Sequence, residues 1–114
     1  ARAALAADPA YFVDAAIPDV RSIDVDGHAY LDVLGLADAN EFASASLEIG
    51  EGASPASWTA VGAQLVEAVT NGSVGRIPVG QLSAVPTWTI RLVVRHANGS
   101  AREARYIIDL QERP

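Results

Sequence analysis

Few residue types in this chain can do chemistry on their own, and their spacing decides what kind. His28 and His96 are the only histidines among the 114 residues, and cysteine is absent. Disulfides, thiolate metal sites and cysteine nucleophiles are therefore excluded. Each histidine stands beside a turn signal, Asp26-Gly27 or Asn98-Gly99, so both are expected in solvent. A zinc site or a Ser-His-Asp triad needs partners converging from other loops, and neither a G-x-S-x-G nor an H-E-x-x-H pattern occurs. Asp24-Val25-Asp26-Gly27 opens like a calcium loop, with Asp19 as a further acid nearby. The later ligands and the terminal glutamate do not follow, and a hairpin turn with solvated acids accounts for the pattern. Gly50-Glu51-Gly52 lacks the lysine of a phosphate loop, and its glutamate would repel phosphate. The expectation is a protein without catalytic residues, cofactor or metal.

Two kinds of binding chemistry remain. Trp58, Trp88 and Tyr30 carry rings on which a sugar can stack. Trp88 alternates with Ile90 and Leu92, which places it in a core and leaves Trp58 as the candidate glycan contact. Asn71-Gly72-Ser73 and Asn98-Gly99-Ser100 both match the N-glycosylation sequon, so Asn71 and Asn98 are candidate modification sites. Both are also Asn-Gly pairs, which a β fold uses as tight turns.

The elements that must position these residues read as strands. Val20 to Val25 alternates and runs into Asp26-Gly27, a two-residue hairpin signal. Ala29 to Ala37 alternates again, and Phe42 to Ile49 turns Ala45, Leu47 and Ile49 to one face. Gly50 to Pro55 is a loop, followed by short strands at Trp58 to Val61 and Leu65 to Val69. Asn71-Gly72 is read as a turn into Val74 to Val79, where Pro78 marks an edge or a bulge. Thr87 to Arg95 is the clearest strand, with Trp88, Ile90, Leu92 and Val94 facing in and Thr87, Thr89, Arg91 and Arg95 facing out. Asn98-Gly99 turns the chain into Arg102 to Leu110, where Tyr106, Ile108 and Leu110 face in. Seven or eight short strands with turn signals about every ten residues and no long helix indicate an all-β antiparallel sandwich of about seven strands, of the immunoglobulin or fibronectin-III kind.

Residues 1 to 18 stand apart from this pattern as an N-terminal extension, with the sandwich domain taken as 19 to 114. Tyr11, Val13, Ala15 and Ile17 share one face of an extended segment, and Phe12 heads the other. An apolar stripe one strand long, beside a domain that already has its strands, is a candidate linker: residues 10 to 17 could add to the next subunit's sheet. Such a contact is head-to-tail and generates a filament when it does not close. The competing reading makes them the first strand of their own sandwich.

Composition narrows the class. One domain is all that this length allows. A formal net charge of −6 argues against nucleic acid and anionic membrane as partners. No apolar run reaches the roughly 20 residues of a membrane helix. Methionine is absent, and the start at Ala1 is read as that of a processed, secreted chain or of a domain trimmed from a longer one.

The stretch from Leu31 to Leu110 resembles a known type of domain. Its pieces are Leu31-x-Val33-x-Gly35-x-Ala37, Phe42, Leu47-Glu48-Ile49-Gly50-Glu51-Gly52, Pro55 and Trp58, then Val69-Thr70-Asn71-Gly72-Ser73-Val74-Gly75 and Leu82. Thr87 to Arg95, Asn98-Gly99 and Glu103 complete the series. Together they are similar to the Ig-like, fibronectin-III-like domains of large bacterial surface and secreted proteins, which also stand beside secreted peptidases and at the ends of some penicillin-binding proteins. Ala45, where such domains commonly carry tyrosine, and the Ile77-Pro78-Val79 stretch depart from the pattern, and residues 1 to 18 have no counterpart in it. The resemblance implies a structural or binding module with no catalytic residues. The expected function is a non-enzymatic subunit of an extracellular, cell-surface assembly. It would polymerise head-to-tail with copies of itself through Tyr11, Phe12, Val13, Ala15 and Ile17, with the Ile77 to Val79 edge or the Arg102 to Leu110 strand as acceptor. The alternative is an accessory module of a larger secreted or cell-wall enzyme that touches glycan through Trp58.

Overall fold

Asp26-Gly27 closes a hairpin between strands β1 (Val13–Val25) and β2 (His28–Ala39) in the computed structural model, which describes residues 12–110. Val25 faces His28 across the turn, and Asp26 and Gly27 both have positive φ, at 53° and 81°. Two central residues of positive φ are the mark of the type I′ hairpin, whose twist matches that of the strands it joins. The chain then crosses to a second sheet for β3 (Phe42–Glu51) and β4 (Thr59–Ala60), and returns for β5 (Val69–Pro78). A 3-10 turn (Val79–Leu82) leads to β6 (Thr87–His96) and β7 (Ala101–Asp109) in the second sheet. The described residues form a seven-stranded antiparallel sandwich, with order β1-β2-β5 in one sheet and β4-β3-β6-β7 in the other.

The core fills the space between the sheets by strict alternation. Leu31, Val33 and Ala37 of β2 meet Ala45, Leu47 and Ile49 of β3 and Trp88, Ile90, Leu92 and Val94 of β6, all buried. Val74, Ile77 and Leu82 complete it. Trp88 is held in one orientation because its ring N–H donates to the carbonyls of Leu82 (3.1 Å) and Val85 (3.0 Å).

Four sequence expectations change. The boundary at residue 18 disappears, because β1 runs as one strand from Val13 to Val25 and pairs with β2 on both sides of a bulge at Ile17 and Pro18. Val13 and Ile17 are buried in the protein's own core, and Ala15 packs partly against it. The apolar stripe of residues 10 to 17 is thus, from Val13 onward, the inward face of the first described strand of the sandwich. Tyr11 lies outside the described residues. Second, Asn71-Gly72 is not a turn: both residues lie inside β5, with Gly72 opposite Gly35. Third, Leu65 makes only an isolated bridge to Ala45 rather than a strand from 65 to 69. Fourth, Thr89 is fully buried although it points away from the core. The loop after β3 folds back over it, and its hydroxyl donates to the Gly52 carbonyl at 2.7 Å.

Pro18 is accommodated by a β-bulge. Ala16 faces Leu36 and Asp19 faces Leu34, so Ile17 and Pro18 together face the single residue Gly35. Proline has no N–H to give to the ladder, and the bulge removes the demand for one. The bulge also brings the Ala16 carbonyl to 2.6 Å from where a Cβ on Gly35 would stand. Gly35→Ala is therefore expected to cost about 1–3 kcal/mol, as overpacking of a tight site does. Gly72→Ala, with open space at its Cβ, serves as the mild control. Thermal unfolding of both variants checks this, and equal melting points would contradict it.

Candidate functional site

Polar chemistry concentrates on the outer face of the four-stranded sheet. Glu48 on β3, Arg91 on β6 and Arg105 on β7 lie in register across three neighbouring strands. Two guanidinium groups directly opposite one another repel. Counter-charge on both sides relieves this: Glu48 takes a hydrogen bond from Arg91 Nε at 2.7 Å, and Glu103 lies 3.6 Å from Arg91 and 3.2 Å from Arg105. Trp58 supplies the rest, with the Arg91 guanidinium 4.1 Å and the Arg105 guanidinium 5.1 Å from its ring centre. The negative face of an aromatic ring attracts both cations without adding a charge.

Trp58 is placed here by the loop that leaves β3. Gly50 lies so close to Pro55 and the Ser57 carbonyl that a side chain at 50 would displace the loop, which therefore lies flat against the sheet. Trp58 is half-buried, and the ring proposed as a sugar platform is already stacked by Arg91. A space of about 450 Å³ between Ile49, Ser57, Gln81 and Trp88, open to solvent and with mixed polar and apolar walls, is not lined by the Trp58 ring.

His96 corrects another expectation. It is buried rather than solvated, at 5% exposure. Its Nδ1 accepts the Asn98 backbone N–H at 3.0 Å, and its Nε2 lies 2.9 Å from Asn40 Oδ1. A ring whose Nδ1 is an acceptor carries its proton on Nε2, so Nε2 donates to Asn40. The same Asn40 oxygen accepts the Phe12 N–H at 3.1 Å. The histidine therefore ties the start of β1, the β2–β3 turn and the β6–β7 turn into one closed end. The half-exposed Phe12 is part of that end. His28 is exposed, as the sequence suggests.

Both sequon asparagines are exposed, Asn71 within β5 and Asn98 in the β6–β7 turn. Asn98 Oδ1 accepts the Ser100 N–H at 2.8 Å, and Gly99 takes a φ of 95°, so this Asn-Gly does serve as a turn. On the opposite sheet, Asp32 accepts from the Ser73 hydroxyl at 2.5 Å and stands 3.9 Å from Arg76. Among the described residues no group of three or more His, Asp or Glu could hold a metal ion.

The backbone edges differ more than the side chains. β4 is only two residues long. β1 is broken by the bulge at Pro18, and β5 by two register shifts and Pro78. β7 pairs with β6 through nine consecutive positions with no shift. Leu110 donates its N–H to Pro86, and Ser100 accepts from His96, which sets the phase of this ladder. Even-numbered residues of β7 turn their N–H and C=O toward β6, and odd-numbered ones turn theirs outward. Among the described residues no strand pairs with that outer edge.

No family model matches the chain, and no curated protein or solved structure matches it. Arg91 is turned outward in the sequence reading, but the ion pairs of the outer face and the Asn40–His96 contact had no part in it. The i, i+2 pair Glu103-x-Arg105 on an alternating strand is the one signal that points to the former.

The Trp58–Arg91 stack should contribute to stability. A double-mutant cycle of Trp58→Ala and Arg91→Ala should give a coupling of about 0.5–1 kcal/mol in urea unfolding. Additive single-variant effects would contradict the stacked arrangement.

Proposed function

We propose that this chain is a non-enzymatic structural subunit of an extracellular surface assembly and that it joins its neighbours by strand addition. The observation that carries this reading is the outer edge of β7, an unbroken run of outward N–H and C=O groups on a regular strand. Natural sheets blunt such edges with prolines, bulges, short strands or charged side chains, because an exposed regular edge is a template for another strand. Here β1 and β5 carry prolines and register shifts, whereas β7 carries only charges, and these are of both signs. The charged outer-face side chains are engaged with one another rather than gathered around a cleft, which supports a structural role. The resemblance to Ig-like domains of bacterial surface proteins supports the extracellular setting.

The linking strand first expected at residues 10 to 17 is, from Val13 onward, occupied within its own sheet. The joint is therefore taken to be the β7 edge, one of the two acceptors the sequence suggested, the other being the Ile77 to Val79 edge.

Proline separates edge chemistry from folding. Ile107 points its N–H outward and its side chain is 56% exposed, so Ile107→Pro removes no bond to β6. It should leave the fold intact by circular dichroism and abolish assembly measured by light scattering and negative-stain microscopy. Ile108→Pro removes a ladder bond opposite Trp88 and should unfold the chain. Assembly by a folded Ile107→Pro protein equal to that of the parent would overturn the strand-addition reading.

A further inference from the structure

The geometry points to a particular partner for the β7 edge: β7 of a second copy, antiparallel, about a twofold axis through Ala104. This rests on the strand-addition reading and adds the partner and the register. Pairing two antiparallel edges requires that residues with outward N–H groups face each other. On β7 these are Ala101, Glu103, Arg105, Ile107 and Asp109. A twofold axis between two copies must then pass through a residue rather than between two, which leaves few registers.

Charge and length of overlap choose among them: an axis at Ile107 sets Arg105 against Asp109 but overlaps only residues 105–109 of the strand, whereas an axis at Ala104 overlaps 101–107. With the axis at Glu103, two glutamates face each other, and with the axis at Arg105, two arginines do. With the axis at Tyr106, Glu103 faces Asp109. Each of these sets like charges directly opposite, which is destabilising. With the axis at Ala104, Glu103 of one copy faces Arg105 of the other, twice over. The same register sets Ala101 against Ile107, twice, so the exposed Ile107 side chain gains an apolar neighbour. Ala101, Glu103, Arg105 and Ile107 then find backbone partners, and Ala104 meets its own copy in the close, non-hydrogen-bonded position. The two four-stranded sheets would become one continuous sheet of eight. An isologous contact of this kind closes as a dimer. Further growth into a filament then needs a second contact elsewhere on the molecule.

Charge exchange reads the register directly. Glu103→Arg sets arginine against arginine across the axis, and Arg105→Glu sets glutamate against glutamate. Each should raise the dimer dissociation constant, measured by sedimentation equilibrium, by about tenfold or more. The double variant Glu103→Arg/Arg105→Glu restores opposite charges and should return the constant to within a few-fold of the parent. Because Arg105 also stacks on Trp58, near-ultraviolet circular dichroism should accompany each measurement to establish that the variants are folded.

A second variant does not depend on charge. The chain has no cysteine, so Ala104→Cys introduces a single thiol on the axis. The non-hydrogen-bonded position brings the two Cβ atoms within disulfide range. Mild oxidation should convert Ala104→Cys to a covalent dimer, while Arg102→Cys, two positions off the axis, should remain largely monomeric. A parent chain that stays monomeric up to its solubility limit, no rescue in the double variant, or equal cross-linking at 102 and 104 would overturn the proposal. If Ile107→Pro abolishes assembly while the charge exchanges change nothing, the edge binds by strand addition in another register or to another partner. If Ile107→Pro changes nothing, strand addition itself is wrong.

Discussion

The ladder between β6 and β7 runs through nine consecutive pairs, from Thr87 with Asp109 to Arg95 with Ala101, without a register shift. Much of the molecule is arranged by that regularity. On its inner side the ladder presents Ile90, Leu92 and Val94 to the core, each fully buried. On its outer side it aligns Arg91 with Arg105, and this forced meeting of like charges calls for Glu48, Glu103 and the Trp58 ring. Along its outer edge it leaves the outward backbone groups of Ala101, Glu103, Arg105 and Ile107 without a strand partner among the described residues. One strand pair thus connects core, surface electrostatics and the capacity to bind.

The opposite sheet shows how differently an edge can be treated. β1 takes a proline and a bulge, and Gly35 is the residue that makes room for the displaced Ala16 carbonyl. β5 takes two shifts and ends at Pro78. Such irregular edges do not offer evenly spaced donors and acceptors. The contrast gives the β7 edge its meaning, since the same chain protects two long edges and leaves the third regular.

Most of the fold was legible because alternation and turn chemistry act locally. The β1–β2 hairpin follows from Asp26-Gly27, and the inward face of β6 follows from Trp88, Ile90, Leu92 and Val94. What was not legible depends on partners distant in sequence. Asn71-Gly72 has the composition of a turn, but pairing of β5 with β2 holds it extended. Thr89 looks solvent-facing until the Gly52 loop covers it, and His96 looks solvated until Asn40 and Asn98 enclose it. The segment from Val13 to Ile17 carries an apolar stripe that fits either its own core or a neighbour's. Only the bulge at Pro18, which lets β1 continue past the proline, decides for the former. Of the candidate surface, the Glu103-x-Arg105 pattern was visible in the chain, but its position on a free, regular edge was not.

Residue-resolved amide exchange, followed by nuclear magnetic resonance at low and high protein concentration, tests the central claim most directly. In the dilute chain, the amides of Ala104, Tyr106 and Ile108 should be protected by the β6 ladder, while those of Glu103, Arg105 and Ile107 exchange freely. On concentration, these three should gain protection together. Outward-facing amides that stay fast while the protein assembles would show that the β7 edge is not where its partner binds.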